Sequence, residues 1–299
     1  MKVTLDEIRE RTYKPRDAWW TVLLVDPLAA RLVRLVAPHR RITPNKLTVI
    51  ATVLGLGAAA CFAMQTRWWL SAGALLFHLS FVVDCMDGKI ARLTGTGSVF
   101  GAWFDFAFDR LRVFVCALAL FGGQYFATGR VVYLWLLTVV VFLDLFRYLN
   151  GAQMAMVRTG MRDRVAAARG YIPPAEEAAD EPGPGGIPTR RRVGIWLRAR
   201  RIRTHLFSGI EYEMTVFIIA PLTGWLIAVP VAAGVLLLLF EAWLVAKLFR
   251  EARDFPAQLE AAVTAREHEE ARSAVPPLDS PVHAVTPTDP ARDLRPVPE

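Results

Sequence analysis

The sequence predicts an all-α polytopic membrane protein with six transmembrane helices, and three observations lead to this fold class. Hydrophobic residues make up 54% of the 299 residues, whereas a soluble domain contains about 45–50%. The excess falls in separate apolar runs, whose lengths approach the roughly 20 residues that a helix needs to cross a bilayer. Lysine and arginine gather in alternate connections between these runs, as the positive-inside rule describes for membrane proteins.

Six apolar runs are predicted to be the membrane-spanning helices. They cover residues 47–64, 70–83, 100–126, 131–149, 208–229 and 231–249. Trp68 and Trp69 follow the first run, where aromatic residues mark a membrane–water interface. Basic residues concentrate before the first span, after the sixth, and in the connections from second to third and from fourth to fifth. We therefore expect a multi-pass protein of the plasma membrane with both termini in the cytoplasm.

The segments around the spans divide the chain further. We expect a polar, irregular N-terminus (1–17), an interfacial amphipathic helix (18–40), a six-helix domain (41–250) with a cytoplasmic insert (151–207), and a disordered C-terminal tail (251–299). Asp26, Arg31 and Arg34 argue against a span in residues 18–40, because each charge would cost about 2.5–3.5 kcal/mol at the bilayer centre. The basic end of the insert, RRRVGIWLRARRIRTHLF, predicts a second interfacial helix.

The basic character of the chain bears on its partners. The formal net charge is +7, and such charge commonly meets either nucleic acid or anionic lipid. The basic residues flank the apolar runs, and no nucleic-acid-binding motif is visible. We therefore expect membrane lipids, and not nucleic acid, as partners.

Four acidic residues stand at the end of the second predicted span and the start of the third. Asp84 and Asp87 are spaced i, i+3, and Asp105 and Asp109 are spaced i, i+4, so each pair shares one helix face. Their neighbours are apolar, which puts the acids at membrane level, where ionisable residues are functional by default. Mg²⁺ or Mn²⁺ would offset their mutual repulsion, because these cations prefer carboxylate oxygen.

The residues between the two acid pairs favour binding of a nucleotide. Gly88 and Ala91 are small, so a ligand could approach the backbone beside the first pair. Arg92 has a planar guanidinium that suits a pyrophosphate. The glycine-rich TGTGS segment allows a tight turn that would bring the two pairs together.

This segment resembles the signature of the CDP-alcohol phosphotransferase family, D-x2-D-G-x2-A-R-x8-G-x3-D-x3-D. Every fixed position is matched, by Asp84, Asp87, Gly88, Ala91, Arg92, Gly101, Asp105 and Asp109. A weaker likeness to the family is the P-N-x-L-T stretch that contains Pro44, Asn45 and Thr48; a turn with a helix start explains the same residues.

The resemblance implies a function and roles for individual residues. It implies a six-helix membrane enzyme, usually a homodimer, whose site opens to the cytoplasm and holds two Mg²⁺ or Mn²⁺ ions. Three acids would hold metal, and Asp109 would share the second ion and act as the base. The donor, a CDP-linked lipid such as CDP-diacylglycerol, would meet Asn45, Thr48, Gly88, Ala91, Arg92, Ser98 and Gly101. An alcohol would attack the phosphate that bears the lipid, and CMP would leave.

An acceptor pocket is predicted where the fourth span ends and the fifth begins. Its candidate residues are Arg147, Asn150, Arg158 and Glu211; arginines that reach lipid headgroups and a Glu211 ion pair explain the same residues. The stretch FRYLNGAQMAMVR differs from the SYxKAR-like stretch of the family's inositol-phosphate enzymes, which counts against an inositol phosphate as acceptor.

Other functions remain open on the sequence alone. An intramembrane prenyltransferase also uses paired aspartates to bind Mg-diphosphate, although on well-separated helices. A cation transporter could be lined by the same acids, but internal repeats or broken helices would be expected. A lipid-binding scaffold without activity is disfavoured because every motif position is retained.

Overall fold

The computed structural model describes residues 3–39, 42–170, 196–197 and 199–274. Within these residues the chain is helical and has no strand; one isolated bridge joins Asp17 and Ile202. The helices are α1 (Leu5–Thr12), α2 (Asp26–Val36), α3 (Pro44–Ala63), α4 (Arg67–Thr94), α5 (Val99–Ala117), α6 (Gly123–Thr128), α7 (Val132–Ala168), α8 (Gly209–Met214), α9 (Ala220–Thr223) and α10 (Ala228–Ala274). Five-residue π-helical turns precede α2, join α5 to α6, and join α8 to α9.

Four of the described helices are long and apolar enough to cross a membrane, namely α3, α4, α7 and α10. The third and fifth predicted spans correspond to the continuous helical runs 99–128 and 209–223. The first of these runs carries Asp105, Asp109, Arg110 and Arg112, and the second is shorter than the roughly 20 residues of a typical span. The described residues are therefore all-helical with four candidate membrane-spanning helices, and the count of six spans stays a prediction.

The helices that carry the acidic motif are packed closely around aromatic and small residues. Phe62 on α3 and Phe77 on α4 are fully buried and both face Phe217. Gly73 makes this packing possible, because a β-carbon there would lie 2.6 Å from the Phe62 ring. Many apolar side chains on other faces are exposed, among them Val53, Leu75 and Leu239, as suits helices surrounded by lipid.

Helix ends position the motif. Pro44 occupies the first turn of α3, where its missing N–H costs no hydrogen bond. Helix α4 ends at Gly95, whose φ of 68° is readily adopted by glycine. The Ser98 side chain then accepts a hydrogen bond from the Gly101 amide (2.9 Å), which starts α5. The predicted tight turn between the acid pairs is thus the connection from α4 to α5.

The structure corrects three expectations about the flanking segments. The N-terminus is not irregular throughout, because α1 buries Ile8 and is capped by Thr4. The tail is helical to Ala274, since its residues 251–274 are rich in good helix formers that extend the preceding helix. Likewise, α7 continues to Ala168, well into the expected insert.

Other expectations are only partly addressed. Helical structure covers 19–36 of the predicted interfacial helix, and its place at a membrane surface stays a prediction. The second predicted interfacial helix, 190–207, is wrong over 200–207, which form turns and irregular structure; Arg201 has a φ of 64°, which a right-handed helix does not allow. Residues 171–195 of the insert, residue 198 and residues 275–299 of the tail lie outside the described residues.

Residues 1–159 and 177–251 contribute to one compact unit, which contains all the motif residues. A second unit comprises residues 160–176 and 252–299; within it Ala262 is buried.

Candidate functional site

Three of the four motif carboxylates come together. Asp84 and Asp87 lie on the last turns of α4, and Asp105 lies on the second turn of α5. Each offers a carboxylate oxygen, and the three oxygens lie within 4.8 Å of one another. Helix α3 joins the cluster through Thr48, whose hydroxyl donates a hydrogen bond to Oδ2 of Asp87 (2.5 Å). Residues from three helices thus meet at one point.

The carboxylate cluster has the chemistry of a divalent-cation site. Oδ1 of Asp105 is buried and has no hydrogen-bond partner within the described structure. A buried acceptor without a donor is costly, and three converging carboxylates repel one another. A hard cation bound to these oxygens would remove both penalties, so these residues fit a metal ion.

Asp109 differs from the other three motif acids because its carboxylate is bound by two arginines of its own helix. Oδ2 accepts a hydrogen bond from Arg110 (2.5 Å), and Oδ1 pairs with Arg112. Arg112 also reaches Asp84, with Nη1 3.3 Å from Oδ1. The fourth acid is therefore linked to the cluster through a guanidinium and does not itself belong to the trio of converging oxygens.

Arg110 is the centre of a buried charge network that the sequence analysis missed. It pairs with Asp144 on α7 (2.5 Å) and with Glu213 on α8 (3.0 Å). Tyr148 stacks its ring 3.8 Å from the guanidinium carbon and donates to Glu213 (3.0 Å). The signal was present in the sequence, since charged residues within apolar helices require partners.

The predicted donor-binding residues surround the connection from α4 to α5. A β-carbon at Gly101 would lie 3.3 Å from Oδ1 of Asn45, so the start of α3 touches the start of α5. A β-carbon at Gly88 would lie 3.4 Å from Nη1 of Arg92. Ala91 lies on α4 between these residues, and Ser98 is the α5 cap. Nε of Arg92 donates to the carbonyl oxygen of Thr12 (2.8 Å), a contact that sequence could not predict.

The predicted acceptor residues do not form one cluster. Arg147 and Asn150 share Glu241 on α10, with Nη1 of Arg147 3.1 Å and Nδ2 of Asn150 2.6 Å from its carboxylate. Arg158 instead pairs with Glu251 (2.6 Å). The side chain of Glu211 accepts hydrogen bonds from the hydroxyl and amide of Ser208. Those bonds cap the start of α8, so they give Glu211 a structural role.

Part of this chain is similar in sequence to known proteins. The sequence model of the CDP-alcohol phosphatidyltransferase family matches residues 41–177. A phosphatidylinositol phosphate synthase of Corynebacterium glutamicum is 33% identical over 89 residues, which are 30% of this chain and 37% of that protein. An archaetidylinositol phosphate synthase of Pyrococcus horikoshii is 41% identical over 70 residues, covering 23% of this chain and 36% of its own.

A third relative aligns over a longer stretch. The CDP-diacylglycerol–glycerol-3-phosphate 3-phosphatidyltransferase of Cereibacter sphaeroides is 35% identical over 121 residues, 38% of this chain and 53% of that protein. The aligned part thus spans between about a third and about half of each of these three relatives. Through residues 41–177, which include the acid cluster, the chain is therefore similar to the CDP-alcohol phosphatidyltransferase family.

Proposed function

We propose that this protein is a membrane enzyme that transfers a phosphatidyl group from CDP-diacylglycerol to an alcohol and releases CMP, in phospholipid synthesis. The observation that carries the proposal is the convergence of Asp84, Asp87 and Asp105 in the segment that matches the family. The names of the relatives support the reaction type, since each is a synthase or transferase of this kind.

Asp84, Asp87 and Asp105 would hold divalent cations, and Asp109 would contribute to the second of two ions. Mg²⁺ or Mn²⁺ suits the all-oxygen ligand set. When bound, the ions would offset the charge of the pyrophosphate and of the departing CMP. The orphaned oxygen of Asp105 supports this assignment.

Asp109 would be the base. The acceptor hydroxyl oxygen forms a bond to the phosphorus that carries diacylglycerol, the bond from that phosphorus to the CMP oxygen breaks, and the hydroxyl proton passes to Asp109. Arg110 and Arg112 bind both carboxylate oxygens, which fixes the orientation of the carboxylate. Each guanidinium has another acidic partner, so both stay paired when Asp109 takes the proton.

The donor would lie along the start of α3 and the connection from α4 to α5. Oδ1 of Asn45 on α3 lies beside Gly101, and Thr48 on the same helix binds Asp87. Gly88 and Ala91 leave space beside the acids, and Arg92 would bind the pyrophosphate. The alcohol would enter near Arg147 and Asn150. Arg158 pairs with Glu251, and Glu211 caps α8, so these two residues are weaker candidates for binding the alcohol.

The membrane arrangement belongs to the same proposal. Six spans, with 99–128 and 209–223 as the third and fifth, would leave the acid cluster near the cytoplasmic surface of the plasma membrane. The helix predicted for residues 18–40 would lie at the membrane surface. The chain would form a homodimer. The apolar helices support the membrane location.

The reaction can be tested with the purified full-length protein. CDP-diacylglycerol and Mg²⁺ are supplied with glycerol 3-phosphate, inositol 1-phosphate, inositol or serine, and CMP release is measured. We expect CMP with one acceptor, and none after chelation by EDTA or in Asp105→Asn. A failure to release CMP with every acceptor would refute the proposal. A prenyltransferase would instead release pyrophosphate from a prenyl diphosphate, and a transporter would release neither product.

A further inference from the structure

The N-terminal segment contacts Arg92 directly. Thr12, the last residue of α1, accepts a hydrogen bond at its carbonyl oxygen from Nε of Arg92 (2.8 Å). This bond fixes one side of the guanidinium. The other end, Nη1 and Nη2, lies 3.4 and 3.7 Å from the position that a β-carbon on Gly88 would occupy. The fork of Arg92 is thereby turned along α4 towards Gly88 and the acid beside it.

Thr12 is firmly placed. Both Thr12 and Ile8 are fully buried, and the Thr12 hydroxyl donates to the Ile8 carbonyl (2.6 Å). Burial of the apolar Ile8 side chain stabilises the packing of α1 against the rest of the protein. Helix α1 is thus an anchored element, and the carbonyl that meets Arg92 is at its end.

Residues 201–203, which are distant in sequence, contact this N-terminal segment. Arg201 stacks its guanidinium carbon 4.2 Å from the centre of the Tyr13 ring, and its Nε donates to the Lys14 carbonyl (3.0 Å). Backbone hydrogen bonds join Asp17 to Arg201 (2.9 Å) and to Arg203 (3.0 Å). Residues 12–17 together with 201–203 are called the N-terminal strap below.

The strap is also tied to α4 by a buried ion pair. Asp26 binds Lys89 on α4 (2.8 Å) and Arg201 (3.2 Å). Lys89 lies 5.6 Å from the centre of the Tyr13 ring, so two cations contact this ring. Cation–ring contacts of this kind are attractive, because the face of the ring carries partial negative charge. Lys89 and Arg92, one turn apart on α4, are therefore both held by the same segment.

We infer that the N-terminal strap positions Arg92 for the donor pyrophosphate, with Arg201 as the residue that holds the strap closed. Arg201 acts through Tyr13 and the Thr12 carbonyl and does not itself touch the donor. Pre-orientation of the guanidinium lowers the ordering cost of donor binding. The inference rests on the proposed function, because it takes Arg92 as a donor-binding residue.

The experiment is a double-mutant cycle on donor binding. The dissociation constant for CDP-diacylglycerol is measured in lipid nanodiscs with Mg²⁺ for the unmodified protein, Arg201→Ala, Arg92→Ala and the double variant. We expect Arg201→Ala to weaken binding about tenfold alone and to have little further effect in the Arg92→Ala background. The KM for the alcohol should stay unchanged.

Two further variants distinguish an effect on the position of Arg92 from a general loss of folding. Tyr13→Leu keeps apolar bulk but removes the ring that both cations contact, and it should weaken donor binding in the same Arg92-dependent way. Arg130→Ala is the matched control, because Arg130 also stacks on a tyrosine, Tyr133 (5.8 Å), in a connection between α6 and α7. It should leave donor binding unchanged.

The outcomes separate this inference from the function it rests on. If the unmodified protein binds no CDP-diacylglycerol, the proposed function and the positioning role both fail. If it binds the donor but Arg201→Ala and Tyr13→Leu have no effect, or the same effect with and without Arg92, the positioning role alone is overturned.

Discussion

Asp109 is the motif acid whose surroundings most restrict its chemistry. Both carboxylate oxygens are bound by guanidinium groups, whereas Asp105 has a buried oxygen without a partner in the described structure. The motif spacing predicted equivalent acids on one face of each helix. The arginines distinguish them, so that the trio suits a cation and Asp109 suits an oriented proton acceptor.

Asp109→Asn should abolish transfer and leave donor binding largely intact. The amide cannot take the acceptor proton, and general-base catalysis typically contributes about 10²–10⁴-fold to a rate. Arg112 would still pair with Asp84, and Arg110 would still pair with Asp144 and Glu213, so the variant should fold. CMP release and CDP-diacylglycerol binding are measured side by side. A variant that turns over at the normal rate would remove the base role.

Arg110→Met should destabilise the protein strongly. Arg110 is 8% exposed and faces three carboxylates, from Asp109, Asp144 and Glu213. Removing one member of a buried ion pair costs about 3–5 kcal/mol, because the remaining charge is uncompensated. Thermal unfolding in detergent measures the effect, with Arg130→Met as the exposed control. Equal melting temperatures for the two variants would contradict a stabilising network.

At the residue scale, the sequence was informative about which groups are present and not about which groups meet. The motif acids follow from helical spacing. The arginine partners do not, since the contacts of Arg110 reach residues 34 and 103 positions away. Glu241 is likewise distant in sequence from its partners, and only folding brings Arg147 and Asn150 to it.

At the scale of elements, a single small residue lets α3 and α5 approach at the site. A β-carbon on Gly55 would lie 2.5 Å from Cγ and Cδ of Arg112. Arg112 cannot easily move aside, because its guanidinium binds Asp84 and Asp109 and it is 2% exposed. The close packing of these two helices therefore depends on glycine at this position.

Gly55→Ala should lower both stability and CMP release. Overpacking in a buried interface typically costs about 1–3 kcal/mol, and displaced Arg112 would release Asp109. Gly57→Ala is the matched control, because a β-carbon there meets only Leu76 at 3.8 Å within the described structure. Alanine should even favour the helix at that position. Identical melting temperatures and rates for the two variants would contradict the packing argument.

The connection before α8 contains a histidine that should make stability depend on pH. Burial, with the nearby Arg203 and Arg147, lowers the pKa of His205 to about 4, and its ring stacks on Phe240. In the unfolded chain this histidine takes up a proton near pH 6.5, whereas in the folded protein it stays neutral until about pH 4. The free energy of unfolding therefore falls as pH drops from about 6.5 towards 4.

His205→Phe keeps a stacked ring and removes this titration. Between pH 7 and 5 the unmodified protein should lose about 1–2 kcal/mol more stability than the variant. Melting temperatures at both pH values measure the difference. A loss that is the same with and without the histidine would show that other groups cause it.

Helix existence was easier to predict than helix ends. The third predicted span, 100–126, agrees closely with the helical run 99–128, since apolar composition is continuous there. Residues 251–274 of the tail were wrongly expected to be disordered, because their charge was taken as a sign of disorder, and α7 extends further than expected, to Ala168. Alanine, glutamate and arginine are good helix formers whatever their exposure, and an existing helix extends without a new nucleation cost.

At the scale of the whole molecule, the number of membrane crossings decides where each connection lies. Four helices meet the length and hydropathy of a span. Six crossings would place residues 64–66, 129–131 and 224–227 on one side, and 95–98, 169–170 and both ends on the other. If only the four crossed, residues 129–131 would lie with 95–98, and 169–170 would lie on the opposite side from 95–98.

Labelling with a membrane-impermeant thiol reagent distinguishes these two topologies. Cys61, Cys85 and Cys116 are first replaced by alanine, and single cysteines are then introduced as Thr96→Cys, Gly129→Cys and Arg169→Cys. We expect Cys at 129 to react in intact cells, and Cys at 96 and 169 only after permeabilisation. The charged helix 99–128 can cross because Asp109, Arg110 and Arg112 are paired inside the protein, which removes much of the cost of charges in lipid. Protection of position 129 together with exposure of position 169 would instead mean four crossings, and would remove the acid-bearing helix α5 from the set of spans.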